Sequence, residues 1–321
     1  MRLSAAVIAF FLASPVSAWA DEAPANSALV TSDASANKTP LDVYAAASAT
    51  PVADGIGFPE GTVLVQDTLY FVDYQASTVN RLTPSGPAVV ARLPGCGANG
   101  LVATPDALLV ACYDSGTVQQ LSREGVKQRT FERGSKGEPF YRPNDLVADA
   151  RGGVYFTASG DDSWLGKVFY LAPQGGAPVA VADNIRNANG IALSPDGGIL
   201  YVGESTTDGI LRFDVHRNGT LEGRARFADL DALAPGGQAY RHTPDGIRSD
   251  AGGHLFVALY NGGGMWVLDD QGGLMASVAL PGEHHSNLAL SRDQKTVYAT
   301  ALSGASGRIY QLPNPLAGNA P

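Results

Sequence analysis

One motif recurs six times along this chain, and that recurrence limits the possible folds more than any other feature. Its clearest copy, Asn189-Gly190-Ile191-Ala192-Leu193-Ser194-Pro195-Asp196-Gly197-Gly198-Ile199-Leu200-Tyr201-Val202, reads as a polar residue, a short apolar run, a Pro-Asp-Gly turn and a second apolar run. Asp-Gly between two apolar runs signals a hairpin, because glycine accepts the positive φ that the turn requires. Related copies open at Glu60, Asn99, Asn144, Asp245 and Ser286. About 10–12 residues after each opener an aromatic residue or leucine follows in a β-rich run: Tyr70, Leu109, Tyr155, Tyr201, Phe256 and Tyr298. A period of roughly 40–55 residues carrying four short strands is the pattern of propeller blades. Six such units predict an all-β, six-bladed β-propeller. The last unit runs out of chain soon after Leu312, while residues 44–54 are spare. The N-terminal strand is therefore expected to complete the last blade and close the ring, which removes an exposed edge.

Composition agrees with this. The 38 glycines and 20 prolines, with only 17% charged residues, suit a turn-rich β protein and not a helical bundle. At the N-terminus one basic residue, Arg2, precedes an apolar run over residues 5–13, and Ala18-Trp19-Ala20 supplies the small-x-small pattern of a cleavage site. Residues 1–20 thus read as a secretory signal peptide, residues 21–43 as a disordered leader rich in Ala, Ser, Asn, Thr and Pro, and residues 44–321 as the propeller domain. No later stretch approaches the ~20 apolar residues of a membrane span. Formal charge is −9, and about −10 once Arg2 is removed. An acidic chain without a Lys/Arg cluster argues against nucleic acid and anionic membranes as partners. It suits an exported, periplasmic or secreted monomer acting on a small molecule. Export would let Cys96 and Cys112, which bracket the second hairpin, persist as a disulfide; two buried thiols are the alternative.

In a propeller the first strand of each blade lines the axial channel, so the six openers should converge at one mouth. Glu60 and Asp245 are anionic, Asn99, Asn144 and Asn189 bring amide oxygens, and none offers sulfur or imidazole. Hard oxygen donors with about two negative charges suit Ca²⁺ or a similar divalent ion. The competing explanation for Asn and Asp before glycine is that they are turn residues tolerant of left-handed backbone. Carboxylates or amides at the same place in five of the six repeats favour the site.

Several stretches carry a more specific likeness: Pro59-Glu60-Gly61, Arg142-Pro143-Asn144-Asp145, Asn189-Gly190-Ile191-Ala192-Leu193-Ser194-Pro195-Asp196-Gly197, Pro244-Asp245-Gly246 and Leu259-Tyr260-Asn261-Gly262-Gly263. In order and spacing they make the chain resemble the regucalcin/gluconolactonase family of six-bladed propellers over nearly all of residues 50–312. The resemblance implies Glu60, Asn189 and Asp245 as ligands of one catalytic divalent cation, with Asn144 on the metal or on the substrate. It implies Arg142 as a substrate contact and Asn99 as a pocket-lining, substrate-side residue. The chain departs from many lactonases at Ala158-Ser159, where they carry Asp-Pro, and at His284-His285-Ser286-Asn287, which has no clear counterpart.

The function expected is therefore an exported, metal-dependent lactonase opening a sugar-type lactone, with Ca²⁺ as the cofactor and Mn²⁺ or Zn²⁺ as alternatives. Asp245 is the candidate general base. Two rivals stand beside it: a non-catalytic propeller with a structural channel ion, and a phosphotriesterase-like hydrolase using the same metal site. Other signals fall away. Gly95-Cys96-Gly97-Ala98-Asn99-Gly100 matches a dinucleotide fingerprint literally, but a hairpin and not a helix follows it. His284 and His285 are read as two loop histidines near the channel mouth, with a base role as the alternative.

Overall fold

The computed structural model describes residues 41–43, 49–161, 163–234 and 241–317. The expected signal peptide, all of the expected leader except Leu41–Val43, and residues 44–48 lie outside the described residues. Six antiparallel sheets of four strands each follow one another along the chain as propeller blades. The first comprises Pro59–Val65, Thr68–Asp73, Thr78–Thr83 and Gly86–Arg92. The innermost strands of the next four blades are Ala98–Ala103, Pro143–Ala148, Ala188–Leu193 and Pro244–Ser249. The sixth blade has Leu288–Leu290, Thr296–Ser303 and Ser306–Pro313, and Thr50–Ile56 pairs antiparallel with the last of these. The N-terminal strand thus closes the ring as the repeat predicts. Leu41–Val43 adds a fifth, parallel strand to the outer edge of the fifth blade. The described helix is confined to Leu230–Leu233 and a 3₁₀ turn at Ser205–Thr207.

The register explains the sequence pattern. The fourth residue of each unit pairs with the recurrent aromatic or leucine: Val63 with Tyr70, Val102 with Leu109, Val147 with Tyr155, Ala192 with Tyr201, Arg248 with Phe256 and Ala289 with Tyr298. Second strands are apolar on both faces because each blade is sandwiched between two others. Leu108–Cys112 is buried throughout, whereas the outermost strand of the same blade, Lys127–Phe131, is largely exposed. Six apolar clusters fill the six interfaces between neighbouring blades. The one between the sixth and first blades is built from Ala53 and Ile56 of the closing strand with Leu69, Phe71, Ala289 and Ile309. Each fully buried aromatic here, such as Phe71 or Phe256, contributes about 1.5–3 kcal/mol of transfer free energy.

Each of the first five innermost strands shifts register just after its opener, between Glu60 and Val63, Ala98 and Leu101, Pro143 and Leu146, Ala188 and Ile191, and Pro244 and Ile247. This bulge turns the opener away from the regular ladder. The glycine that follows in four of these five strands is there for close approach. A Cβ on Gly100 would lie 2.2 Å from the Asn144 carbonyl oxygen, and one on Gly190 would lie 2.0 Å from that of Asp245. Asn99, Asn144 and Asn189 are absent from the residues with left-handed backbone, so the turn-residue explanation of the Asn-Gly pairs does not hold.

Candidate metal and substrate site at the channel mouth

The five polar openers predicted from the repeat meet where the innermost strands converge, and neighbouring groups orient each one. Asn99 Nδ2 donates to the Asn144 carbonyl oxygen at 3.4 Å, and Asn144 Nδ2 donates to Ser159 Oγ at 3.2 Å. Ser159 Oγ in turn donates to the Ala188 carbonyl at 2.8 Å. Ser159 belongs to the Ala158-Ser159 departure, so that stretch has become the anchor of the Asn144 amide. The Asn189 side chain hydrogen-bonds the Asp245 carboxylate, while its Oδ1 is buried without a hydrogen-bond partner. Glu60 Oε2 accepts from Gly61 N at 3.1 Å and from Asn287 Nδ2 at 3.2 Å. In each asparagine the NH₂ end is committed to a protein acceptor, which leaves the carbonyl oxygen as the end available to a ligand.

Both carboxylates at the mouth are buried, Glu60 at 3% and Asp245 at 7% exposure. Burial raises the pKa of each. The charge of Asp145 raises Glu60 further, and the charges of Glu60 and Asp145 raise Asp245 further. Two carboxylates forced together in a dry pocket resist ionising unless a cation shares them. The unpartnered Asn189 oxygen is a second sign of the same kind, since a buried acceptor left alone costs about 1–3 kcal/mol. Among the described residues no group of three or more His, Cys, Asp or Glu side chains is placed to hold a metal ion. The donors here are two carboxylates completed by amides, all hard oxygen, which fits Ca²⁺ better than Zn²⁺.

An aromatic wall, which the repeat did not reveal, surrounds the openers. Tyr113 and Tyr260 each follow the second strand of a blade. Burial raises the Tyr113 phenol, whose environment includes Arg142 and Asp245. Tyr260 is pushed up to about 12 by burial and by the charges of Asp245 and Glu60. Arg142 has left-handed backbone at φ 57° directly before a proline, a costly conformation, and its guanidinium lies 5.7 Å from the centre of the Tyr113 ring. Tyr74 donates to Asp114 Oδ1 at 2.7 Å, and exposed Tyr141 and Trp164 stack at 5.6 Å beside Arg142. A disulfide joins Cys96 to Cys112, and Tyr113 N donates to the Gly97 carbonyl, so the cross-link anchors the Tyr113 turn. The one sequence signal for this wall was the Leu259-Tyr260-Asn261 stretch.

One expectation needs correction. The sixth opener, Ser286, does not join the donor set. It is fully buried, its hydroxyl donates to the Pro59 carbonyl at 2.7 Å and it also contacts Thr300 Oγ1. The residue after it, Asn287, reaches Glu60 instead. His284 and His285 lie, as expected, in the loop that leads to the sixth blade's inner strand, but their surroundings differ. His284 stacks on Tyr260 at 4.3 Å, whereas His285 is 1% exposed and burial lowers its pKa to about 4. A neutral histidine enclosed in this way is packing.

Comparison with known proteins adds the lineage. A family model described as SMP-30/Gluconolactonase/LRE-like region matches residues 58–303. Lactonase drp35 of Staphylococcus haemolyticus is 30% identical over 162 residues, 50% of this chain and 48% of the relative. Lactonase drp35 of Staphylococcus epidermidis is 27% identical over 225 residues, 67% of this chain and 66% of the relative. The chain thus spans about half to two thirds of the length of these curated relatives. Among solved structures, a gluconolactonase from Xanthomonas campestris superposes with a TM-score of 0.68 at 24% identity, covering 83% of this chain and 89% of the other. The calcium-binding protein regucalcin from Agrobacterium tumefaciens gives 0.69 at 19% identity, covering 84% and 95%. At these identities the two structures establish the fold alone.

Proposed function

The chain belongs to the SMP-30/gluconolactonase/LRE-like family, and from that premise we propose that it hydrolyses the ring ester of a small, sugar-type lactone. Glu60, Asn189 and Asp245, with Asn144 beside them, would hold one hard divalent cation, Ca²⁺ ahead of Mn²⁺ or Zn²⁺. When bound, the cation supplies Lewis-acid polarisation of the lactone carbonyl and stabilises the charge that develops on its oxygen.

The chain's own residues account for the rest. Arg142, held out by its left-handed backbone, donates to substrate oxygens, and Asn99 lines the same side. Tyr113 and Tyr260 form a wall that limits water. Asp245 takes a proton from the attacking water as its oxygen bonds to the carbonyl carbon. As the ring carbon–oxygen bond breaks, the same proton passes to the departing ring oxygen, and a hydroxy acid leaves.

The observation that carries this reading is the buried, unpartnered Asn189 Oδ1 beside two carboxylates whose burial resists ionisation. The test is a lactone panel assayed with and without chelator, alongside Asp245→Asn at saturating metal. Turnover should depend on added cation and fall by ~10²–10⁴-fold in Asp245→Asn, while Asn99→Ala costs less. Normal turnover in chelator, or an unimpaired Asp245→Asn, would overturn it. We also propose export, on the strength of the N-terminal signal pattern and the Cys96–Cys112 disulfide. Intact mass of the exported protein should show residues 1–20 removed.

A further inference from the structure

Three residues break the six-fold pattern beneath the mouth, and the three meet. At the second place of each unit stand Gly61, Gly100, Asp145, Gly190, Gly246 and Asn287. At the fourth stand Val63, Val102, Val147, Ala192, Arg248 and Ala289. Asp145, Arg248 and Asn287 belong to the third, fifth and sixth blades, yet they form one buried network across the axis. Arg248 Nη1 lies 2.8 Å from Asp145 Oδ2, and Nη2 lies 3.4 Å from Asp145 Oδ1. Nη2 also donates to Asn287 Oδ1 at 3.1 Å and to the Thr62 carbonyl at 3.3 Å, which ties in the first blade. The side chains of Arg248 and Asp145 are 18% and 1% exposed.

Asn287 carries the network to the mouth. Its Oδ1 is met by donors alone: Arg248 Nη2, Thr62 Oγ1 at 2.9 Å, Thr62 N at 3.3 Å and Leu288 N at 3.0 Å. The amide therefore has one orientation, with Nδ2 on Glu60 Oε2. Three buried carboxylates, Glu60, Asp145 and Asp245, thus have one guanidinium in this network, bonded to Asp145. Arg248 pairs with Asp145, whose charge bears on both Glu60 and Asp245, and its own charge opposes that effect at Glu60. A residual charge of about −2 matches one divalent cation.

We propose that Arg248 is the built-in counter-charge of this site, neutralising Asp145 so that Glu60 and Asp245 alone face the cation. The inference deepens the cation reading above and rests on it, but half of its test does not need the cation. The experiment is a cycle of wild type, Asp145→Asn, Arg248→Met and the double variant, with Arg248→Lys as the conservative control. Calcium affinity is measured by calorimetry and thermal unfolding in chelator. Asp145→Asn leaves a positive charge below the mouth and should weaken calcium binding by ~10-fold. Adding Arg248→Met should restore it to within ~3-fold of wild type, a rescue that a purely structural role would not produce. In chelator Arg248→Met should lower the Tm by ~6 °C or more, because it leaves a buried carboxylate unpaired. Asp145→Asn in that background should recover at least half of the loss, and Arg248→Lys should fall less than Arg248→Met. Absence of rescue in either measurement overturns the proposal. If the wild type takes up no calcium, the cation reading fails, and the unfolding cycle still decides whether Arg248 and Asp145 act as a charge pair.

Discussion

Glu60 and Asp245 are the residues whose chemistry the environment alters most. Burial raises both pKa values, with Asp145 adding to it at Glu60 and both Glu60 and Asp145 adding to it at Asp245, and Glu60 reaches about 8. The metal-free folded protein therefore binds more protons than the unfolded chain, from the ordinary carboxylate range up to about pH 8. Their contribution is fully present below the unfolded pKa and is lost as pH rises through the folded one. Chelated protein is thus expected to unfold at a lower temperature at pH 8 than at pH 5, and millimolar Ca²⁺ should reverse that order. Unfolding curves at the two pH values, with and without calcium, check this. A chelated protein that gains stability between pH 5 and pH 8 would contradict the electrostatics assigned to the pair. Single residues also show why the openers were legible and their neighbours were not. Asn99, Asn144, Asn189, Glu60 and Asp245 occupy equivalent repeat positions. Arg248 breaks the repeat at its place, and its role comes only from what lies across the channel.

At the scale of the element, the innermost strand couples packing to the site. Gly190 lets the fourth blade's inner strand lie against the fifth blade's, where a Cβ would sit 2.0 Å from the Asp245 carbonyl oxygen. Gly190→Ala must push that backbone away, at a cost of about 1–3 kcal/mol typical of overpacking. The displaced residue is Asp245 itself, so activity should fall further than the change in stability accounts for. Lactone turnover well below the unfolding midpoint, compared with thermal unfolding of the same variant, separates the two effects. Gly197, in the Pro-Asp-Gly turn, offers a control: a Cβ there meets nothing within 4 Å, although its φ of 71° adds local strain. Gly197→Ala should therefore lose some stability and keep its turnover.

For the whole molecule, closure of the ring is the decisive feature. Thr50–Ile56 is the outermost strand of the sixth blade, and its Ala53 and Ile56 supply part of the last blade–blade core. A chain shortened to begin at Gly57 would leave Ser306–Pro313 as an unpaired edge and open that interface. It is expected to associate on size-exclusion chromatography and to lose its cooperative transition, whereas a chain beginning at Ala49 should retain both. No helix among the described residues is long and apolar enough to cross a membrane.

Blade number, ring closure and the identity of the five polar openers were all readable in the chain, because a propeller repeats one local unit. Periodicity survives translation into structure when the same hairpin, bulge and cross-strand pair recur six times. The spacing of Tyr155 from Asn144, or of Tyr201 from Asn189, already contained the register. Only the tertiary structure decided which repeat positions serve the site. Ser286 holds an opener's place yet is committed to Pro59 and Thr300, while Asn287, one residue on, reaches Glu60. Asp145, Arg248 and Asn287 are up to 142 residues apart in number and meet because three blades converge on one axis. The physical reason is the same in each case: strand pairing is local and leaves a periodic trace, whereas burial, charge pairing and amide orientation depend on neighbours that the ring brings together only when it closes.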